Sequence, residues 1–174
     1  MRLFIAINFN SETRLGLLAL RDELRSRSER GNFVRPDNLH LTLAFLGECD
    51  AARTRAAKSV MDTISFTPFE IGIERLGCFK RESGDVWWAG LSDSGQLSAL
   101  QGELTDKLIA AGFSLDRRRY SPHVTLGREV VMGAVSRQIE PFAETVRAID
   151  LMKSERIDKK LVYTSIHSVD AVTV

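Results

Sequence analysis

H40-L-T-L-A-F-L-G47 and, 83 positions further on, H123-V-T-L126 read alike: histidine, apolar residue, threonine, leucine. Side chains of a β-strand alternate between faces. His40 and Thr42 therefore point one way while Leu41 and Leu43 point the other, and the same parity separates His123 and Thr125 from Val124 and Leu126. Each stretch offers an imidazole–hydroxyl pair on one face and an apolar pair for a core on the other. The chain has three histidines, and two of them occupy this matched position.

Working outward, the sequence slid against itself by 83 residues lays Phe4-Ile5-Ala6 on Trp87-Trp88-Ala89, Ser11 on Ser94 and Leu17 on Leu100, besides the motifs themselves. Pro68-Phe69 and Pro141-Phe142 head a further pair of strands at an offset of 73. Strand, capped helix, turn and motif strand thus recur in one order. The expected fold is α+β, a single two-lobed domain over residues 1–174. Its similar lobes are related by a pseudo-twofold, with antiparallel sheets lining a central cleft and helices outside. The two histidines then face one another across the cleft. The competing reading has each histidine closing its own lobe by a hydrogen bond and touching no ligand.

Residue by residue, a strand is expected over Arg2–Phe9, apolar on both faces and so interior, then a helix capped by Ser11, running to about Arg27 and ended by Gly31-Asn32. Pro36-Asp37-Asn38 is turn material ahead of the motif strand Leu39–Leu46. A helix over Ala51–Ile64 would bury Ala56, Val60 and Ile64. Phe69–Leu76 puts Phe69, Ile71 and Ile73 on one face, and the polar Lys80–Asp85 turn makes a hairpin with Val86–Leu91. Leu97, Leu100, Leu104 and Leu108 form the clearest helical stripe, capped by Ser94 and stopped at Ala111-Gly112. After Arg128 the pattern suggests a short helix or loop. Phe142–Met152 reads as one strand, Lys153–Lys160 as a turn and Leu161–Val169 as the last strand.

With 174 residues, 44% apolar and 27% charged, the composition is that of a soluble globular domain able to build its own core. A net charge of +1 gives no overall pull toward nucleic acid or membrane. Of the 24 basic residues 18 are arginine, whose planar fork suits a local phosphate site, although genome bias gives the same excess. Cys49 and Cys78 lack the spacing of a zinc site, and no apolar run is long enough for a signal peptide or a membrane span. A cytoplasmic monomer with reduced thiols is expected.

One imidazole can take a proton while its twin gives one, an arrangement suited to in-line displacement at phosphorus, and Thr42 and Thr125 are placed to donate to nonbridging oxygens. Neither motif carries a carboxylate on the same face and no third histidine recurs, so neither metal nor other cofactor is expected. The missing Gly-rich phosphate loop argues against an ordinary nucleotide triphosphate site.

Taken with the Arg35-Pro36-Asp37-Asn38-Leu39 approach, the Phe-Leu-Gly tail of the first motif and P122-H-V-T-L-G-R128, these features resemble the RNA 2′,3′-cyclic phosphodiesterases, also called the 2′-5′ RNA ligase family, of the two-histidine phosphoesterases. The likeness extends over essentially the whole chain. It implies hydrolysis of a 2′,3′-cyclic phosphate at an RNA end to a 2′-phosphomonoester, and in some relatives reversible joining of 2′-5′ linkages. On this resemblance His40 is the general acid toward the leaving 3′ oxygen, His123 the general base toward water, and Thr42 and Thr125 hold the phosphate. A non-catalytic RNA-end or nucleotide binding module, or a phosphodiesterase for a small cyclic nucleotide, is the alternative.

Arg128 matches the family pattern but has the wrong strand parity to share a face with His123 unless a bulge intervenes. Its other reading is a structural ion pair. Tyr120, Arg35 and the Arg117–Arg119 run flank the cleft as candidates for contact with a base or the RNA backbone. Phe45 is another, with core packing the stronger expectation. Trp87 and Trp88 cannot both face the cleft, and His167 stands outside the catalytic set.

Overall fold

The computed structural model describes residues 1–92 and 95–173. Strand β1 (Arg2–Asn8) is apolar on both faces because it is interior: β3 (His40–Glu48) pairs with it on one side and β8 (Ala148–Ile157) on the other. Strand β9 (Lys160–Asp170) completes a four-stranded sheet in the order β3-β1-β8-β9. The second sheet contains β2 (Ser28–Phe33), β4 (Phe69–Phe79), β5 (Asp85–Leu91), β6 (His123–Met132) and β7 (Gln138–Val146), in the order β2-β6-β5-β4-β7. Pairing is antiparallel throughout. Helices α1 (Ser11–Arg27), α2 (Ala51–Asp62) and α3 (Gly95–Ala110) flank the sheets, and a single 3₁₀ turn at Pro36–Asn38 leads into β3.

Each motif strand lies beside the first strand of its own half, β3 on β1 and β6 on β5. After each motif a strand crosses over to the other half: β4, the first strand after β3, joins β5, and β8, the second strand after β6, joins β1. Both sheets therefore take strands from both halves of the chain. The core faces of the motifs are deeply buried, with Leu41, Val124 and Leu126 at 0% exposure and Leu43 at 3%. Leu97, Leu100, Leu104 and Leu108 form the buried stripe of α3, and Phe69, Ile71 and Ile73 fill the core face of β4. Gly47 ends the first motif with φ +74°, a left-handed turn that other residues adopt only with strain. Among the described residues no helix is long and apolar enough to cross a membrane.

Several sequence-based expectations are corrected. The cap of α1 is Asn10, whose side chain accepts from Thr13 N at 2.8 Å; Ser11 is the first helical residue. The cap expected at Ser94 lies outside the described residues. Helix α2 ends at Asp62, and its buried stripe is Thr54, Ala57 and Met61, with Ala56 and Val60 half-buried beside it. Gly31-Asn32 lies within β2, which pairs with β6, and β6 itself runs on past Arg128 to Met132. Phe142–Met152 is two strands in different sheets, and β8 extends to Ile157 so that the turn is only Asp158-Lys159, both at positive φ.

The duplication also needs realignment. Asn8 pairs with His40 and Gly90 with His123, so β1 and β5 correspond at an offset of 82, one residue short of the motif offset. Trp88 then matches Ala6, and Trp87 matches Ile5. Phe142 pairs with Ile73, which makes the two Pro-Phe strands neighbours in one sheet and not equivalents.

Candidate active site

Both histidines are oriented by the same local device. His40 Nδ1 lies 2.7 Å from the carbonyl of Asn38, and His123 Nδ1 lies 2.7 Å from the carbonyl of Ser121, in each case two residues upstream. A carbonyl only accepts, so each Nδ1 carries the proton and each Nε2 is left to do chemistry. Asn38 is itself buried, and its amide donates to the Leu161 carbonyl of β9 at 2.9 Å, which fixes the turn that aims its own carbonyl at the ring. Aromatic rings wedge both imidazoles: Phe4 at 4.8 Å and Tyr163 at 5.3 Å from His40, Phe79 at 5.4 Å and Trp88 at 5.9 Å from His123.

Burial holds His40 below the usual imidazole range, and the charges of Arg128 and His123 add to this against the raising effect of the Asn38 carbonyl. The free cleft thus favours neutral His40. Its Nε2 then accepts from the hydroxyl of Thr42 at 2.9 Å. Thr125 makes no such bond to His123, and its hydroxyl has no protein partner among the described residues.

A pair of bulges completes the site. In β3, Ile5 pairs with Ala44 and Ala6 with Thr42, so Leu43 is an extra residue. In β6, Trp87 pairs with Gly127 and Trp88 with Thr125, so Leu126 is extra. Leu43 and Leu126 are equivalent positions of the two motifs. An extra residue reverses the parity of everything after it. Arg128 is therefore brought to the face of His123 and Thr125, and Phe45 to the face of His40 and Thr42. Phe45 is 50% exposed, contrary to the expected core packing.

The cleft between the sheets has a volume of about 750 Å³. Thr42, Phe45, Phe79, Tyr120 and His123 all line it, with Arg118 and Arg119 at its mouth.

Comparison with known proteins shows the family and the fold. The family described as the 2′-5′ RNA ligase superfamily matches residues 13–158. The chain belongs to that superfamily. It is 34% identical over 131 residues to the RNA 2′,3′-cyclic phosphodiesterase of Thermotoga maritima, covering 74% of this chain and 70% of the relative. It is 32% identical over 148 residues to that of Archaeoglobus fulgidus, covering 84% and 80%. The crystal structure of E. coli LigT complexed with 3′-AMP superposes with a TM-score of 0.87 at 26% identity, covering 99% of this chain and 98% of that one.

Within this superfamily member the remaining sequence-derived candidates separate. Tyr120 bridges the lobes: its hydroxyl donates to the Thr42 carbonyl at 2.9 Å, and burial pushes its phenol well up. Arg35 is directed elsewhere, with Nη1 donating to the Leu161 carbonyl at 3.3 Å and the side chain lining a separate groove with Arg21 and Arg25. His167 pairs with Asp62 at 2.7 Å, apart from the cleft. Trp87 is core, as expected of either tryptophan, whereas Trp88 packs against His123 at the site, contrary to that expectation. Phe4, Phe79, Tyr163 and Gln101 were missed. Phe4 carried a usable signal, since it alternates away from Leu3, Ile5 and Ile7; Phe79 has the parity of Phe69, Ile71 and Ile73 and reaches the site only through the register shift after Ile73, and Tyr163 and Gln101 carried no signal. Both cysteines are free thiols, and among the described residues no three His, Cys, Asp or Glu side chains cluster to hold a metal ion.

Proposed function

We propose that this protein hydrolyses the terminal 2′,3′-cyclic phosphate of RNA to a 2′-phosphomonoester. The observation that carries the reading is the paired histidines, each with Nδ1 tied to a carbonyl and Nε2 left for the cleft. The kinship with RNA 2′,3′-cyclic phosphodiesterases supports it. Water is deprotonated by His123 Nε2 and attacks phosphorus in line with the 3′ oxygen. The P–O3′ bond breaks as His40 Nε2 gives its proton to that oxygen, leaving the phosphate on O2′. Thr42, Thr125 and Arg128 hold the nonbridging oxygens as charge grows on them.

Thr42 links binding to protonation. In the free cleft its hydroxyl hydrogen is used by His40 Nε2. Once the negative phosphate favours protonated His40, Nε2–H becomes the donor, the hydroxyl oxygen accepts, and the Thr42 hydrogen is released toward phosphate. A 5′-hydroxyl in place of water would give a 2′-5′ phosphodiester through the same steps, which is the reversible ligation open to such a site.

The test is incubation of purified protein with oligonucleotides ending in 2′,3′-cyclic phosphate, in excess EDTA. Conversion to a 2′-phosphate end supports the reading. Tight binding without turnover identifies an RNA-end binding module, and turnover confined to free cyclic nucleotides identifies a small-molecule phosphodiesterase.

A further inference from the structure

We propose that the groove lined by Arg21, Arg25 and Arg35, outside the catalytic cleft, holds the backbone phosphates of the RNA strand that leads into the cyclic end; this rests on the reading above. A cleft that works on the last nucleotide leaves the rest of the strand to be carried over the protein surface. The groove has a volume of about 480 Å³ and lies where α1, β2 and the turn before β3 meet. Its lining offers three guanidinium groups and no carboxylate. Planar forks of this kind match phosphate oxygens.

The three arginines are not equally free. Arg21 is committed, with Nη1 donating to the Val34 carbonyl at 2.8 Å and Nε and Nη2 meeting Asp22 at 3.0 and 2.7 Å. It braces the groove and adds little net charge. Arg25 is the opposite case. It stands in the last turn of α1, where a basic side chain can satisfy open carbonyls, yet serine hydroxyls do that here. Ser26 takes the Glu23 carbonyl at 2.7 Å and Ser28 the Arg25 carbonyl at 2.9 Å. The exposed Arg25 guanidinium has no hydrogen-bond or ion-pair partner among the described residues. Arg35 spends Nη1 on the Leu161 carbonyl at 3.3 Å and is otherwise exposed.

Two links join the groove to the cleft. Asn32, in its wall, is the ladder partner of Arg128, so the groove reaches the strand pair that carries the phosphate-holding arginine. The Leu161 carbonyl that holds Arg35 also holds Asn38 at 2.9 Å, whose own carbonyl orients His40. A strand leaving a phosphate at Arg128 thus meets Arg35 first and Arg25 beyond it. Contacts to the backbone alone hold a single strand whatever its bases.

The experiment compares kcat/KM for an oligouridylate decamer ending in 2′,3′-cyclic phosphate with that for free uridine 2′,3′-cyclic phosphate, over a series of salt concentrations. The advantage of the decamer should fall roughly 3- to 10-fold in Arg25→Ala, through KM, and its slope against log salt should flatten by about 0.7. Arg35→Ala should act alike, the double variant should flatten the slope by about 1.4, and Arg25→Lys should keep most of the advantage. An oligoadenylate decamer should lose as much as the oligouridylate. An unchanged advantage and slope in the double variant overturn the groove. So does a loss that appears in Arg119→Ala instead, which leads the strand out past the mouth of the cleft. If no turnover is seen, the assignment of activity fails, while dissociation constants of a decamer ending in 2′-phosphate and of uridine 2′-phosphate, in the same variants, still decide for or against the groove.

Discussion

Replacing Gly77 by alanine tests how tightly the wall behind His123 is packed. Gly77 of β4 pairs with Trp88 of β5, and a Cβ built at Gly77 would stand 2.2 Å from Cη2 and 2.4 Å from Cζ2 of the indole. Carbon atoms rest at about 3.5–4.0 Å, so the ring must retreat by more than about 1 Å. Its retreat is hemmed in. On one side the Arg75 guanidinium lies over the ring at 5.9 Å, and on the other lie Phe79 at 5.4 Å and His123 at 5.9 Å. The ring therefore swings into the cleft and displaces the imidazole. Overpacking of this kind costs about 1–3 kcal/mol, or about 2–12 °C in Tm for a chain of this size. Misplacement of a reacting group by about 1 Å costs roughly 10²-fold in rate. Thermal melts should thus show a modest loss and turnover of cyclic-phosphate RNA a large one. The double variant Gly77→Ala/Trp88→Leu should recover the melt. A Gly77→Ala protein with Tm within 1 °C and kcat within twofold of the parent, as order-of-magnitude thresholds set against these costs, would refute the packing argument.

Either His40→Ala or His123→Ala should lower turnover by at least about 10²; an activated leaving group should partly rescue only His40→Ala, and equal rescue of both would reverse or dissolve the assignment of acid and base. Thr42→Val and Thr125→Val should each cost very roughly 10²–10³ in rate, yet only Thr42→Val should also displace the pH profile, because of the two threonines only Thr42 bonds the Nε2 of its histidine. Arg128→Gln removes a charge that holds His40 down, so the His40 resonance should titrate at higher pH in the variant; no change in the NMR titration would show that Arg128 does not reach the cleft.

The alternation of His40, Thr42, His123 and Thr125 was legible because the first residues of each motif strand obey simple parity, and the four-leucine stripe of α3 because it is long and regular. Parity failed where the strands bulge. A reader of the sequence has no means of seeing that Leu43 and Leu126 are each one residue too many, and so assigns Phe45 to the core and doubts Arg128. The two misjudgements have a single physical cause. Helix α2 was found but its stripe was set from Ile64, which lies beyond the helix end, and this put Ala56 and Val60 where Ala57 and Met61 belong. Strands β7 and β8 were read as one because only Arg147 and the backbone around it separate runs that belong to different sheets. Contacts such as Tyr163 against His40 arise from pairings that local pattern does not encode.

The crossing of β8 back to β1 has a consequence for how the protein is made. Ile5 meets Ala44 of β3 on one side, but its ladder partner on the other is Leu151, and Tyr163, which braces His40, arrives later still. As the chain leaves the ribosome, β1 and β3 can pair, but that hairpin keeps an unpaired apolar edge until nearly the whole sequence has emerged. Such distant partners make for slow closure. During synthesis the His40 half of the cleft has no floor, so a nascent chain holds its RNA-end chemistry in abeyance until the final strands dock.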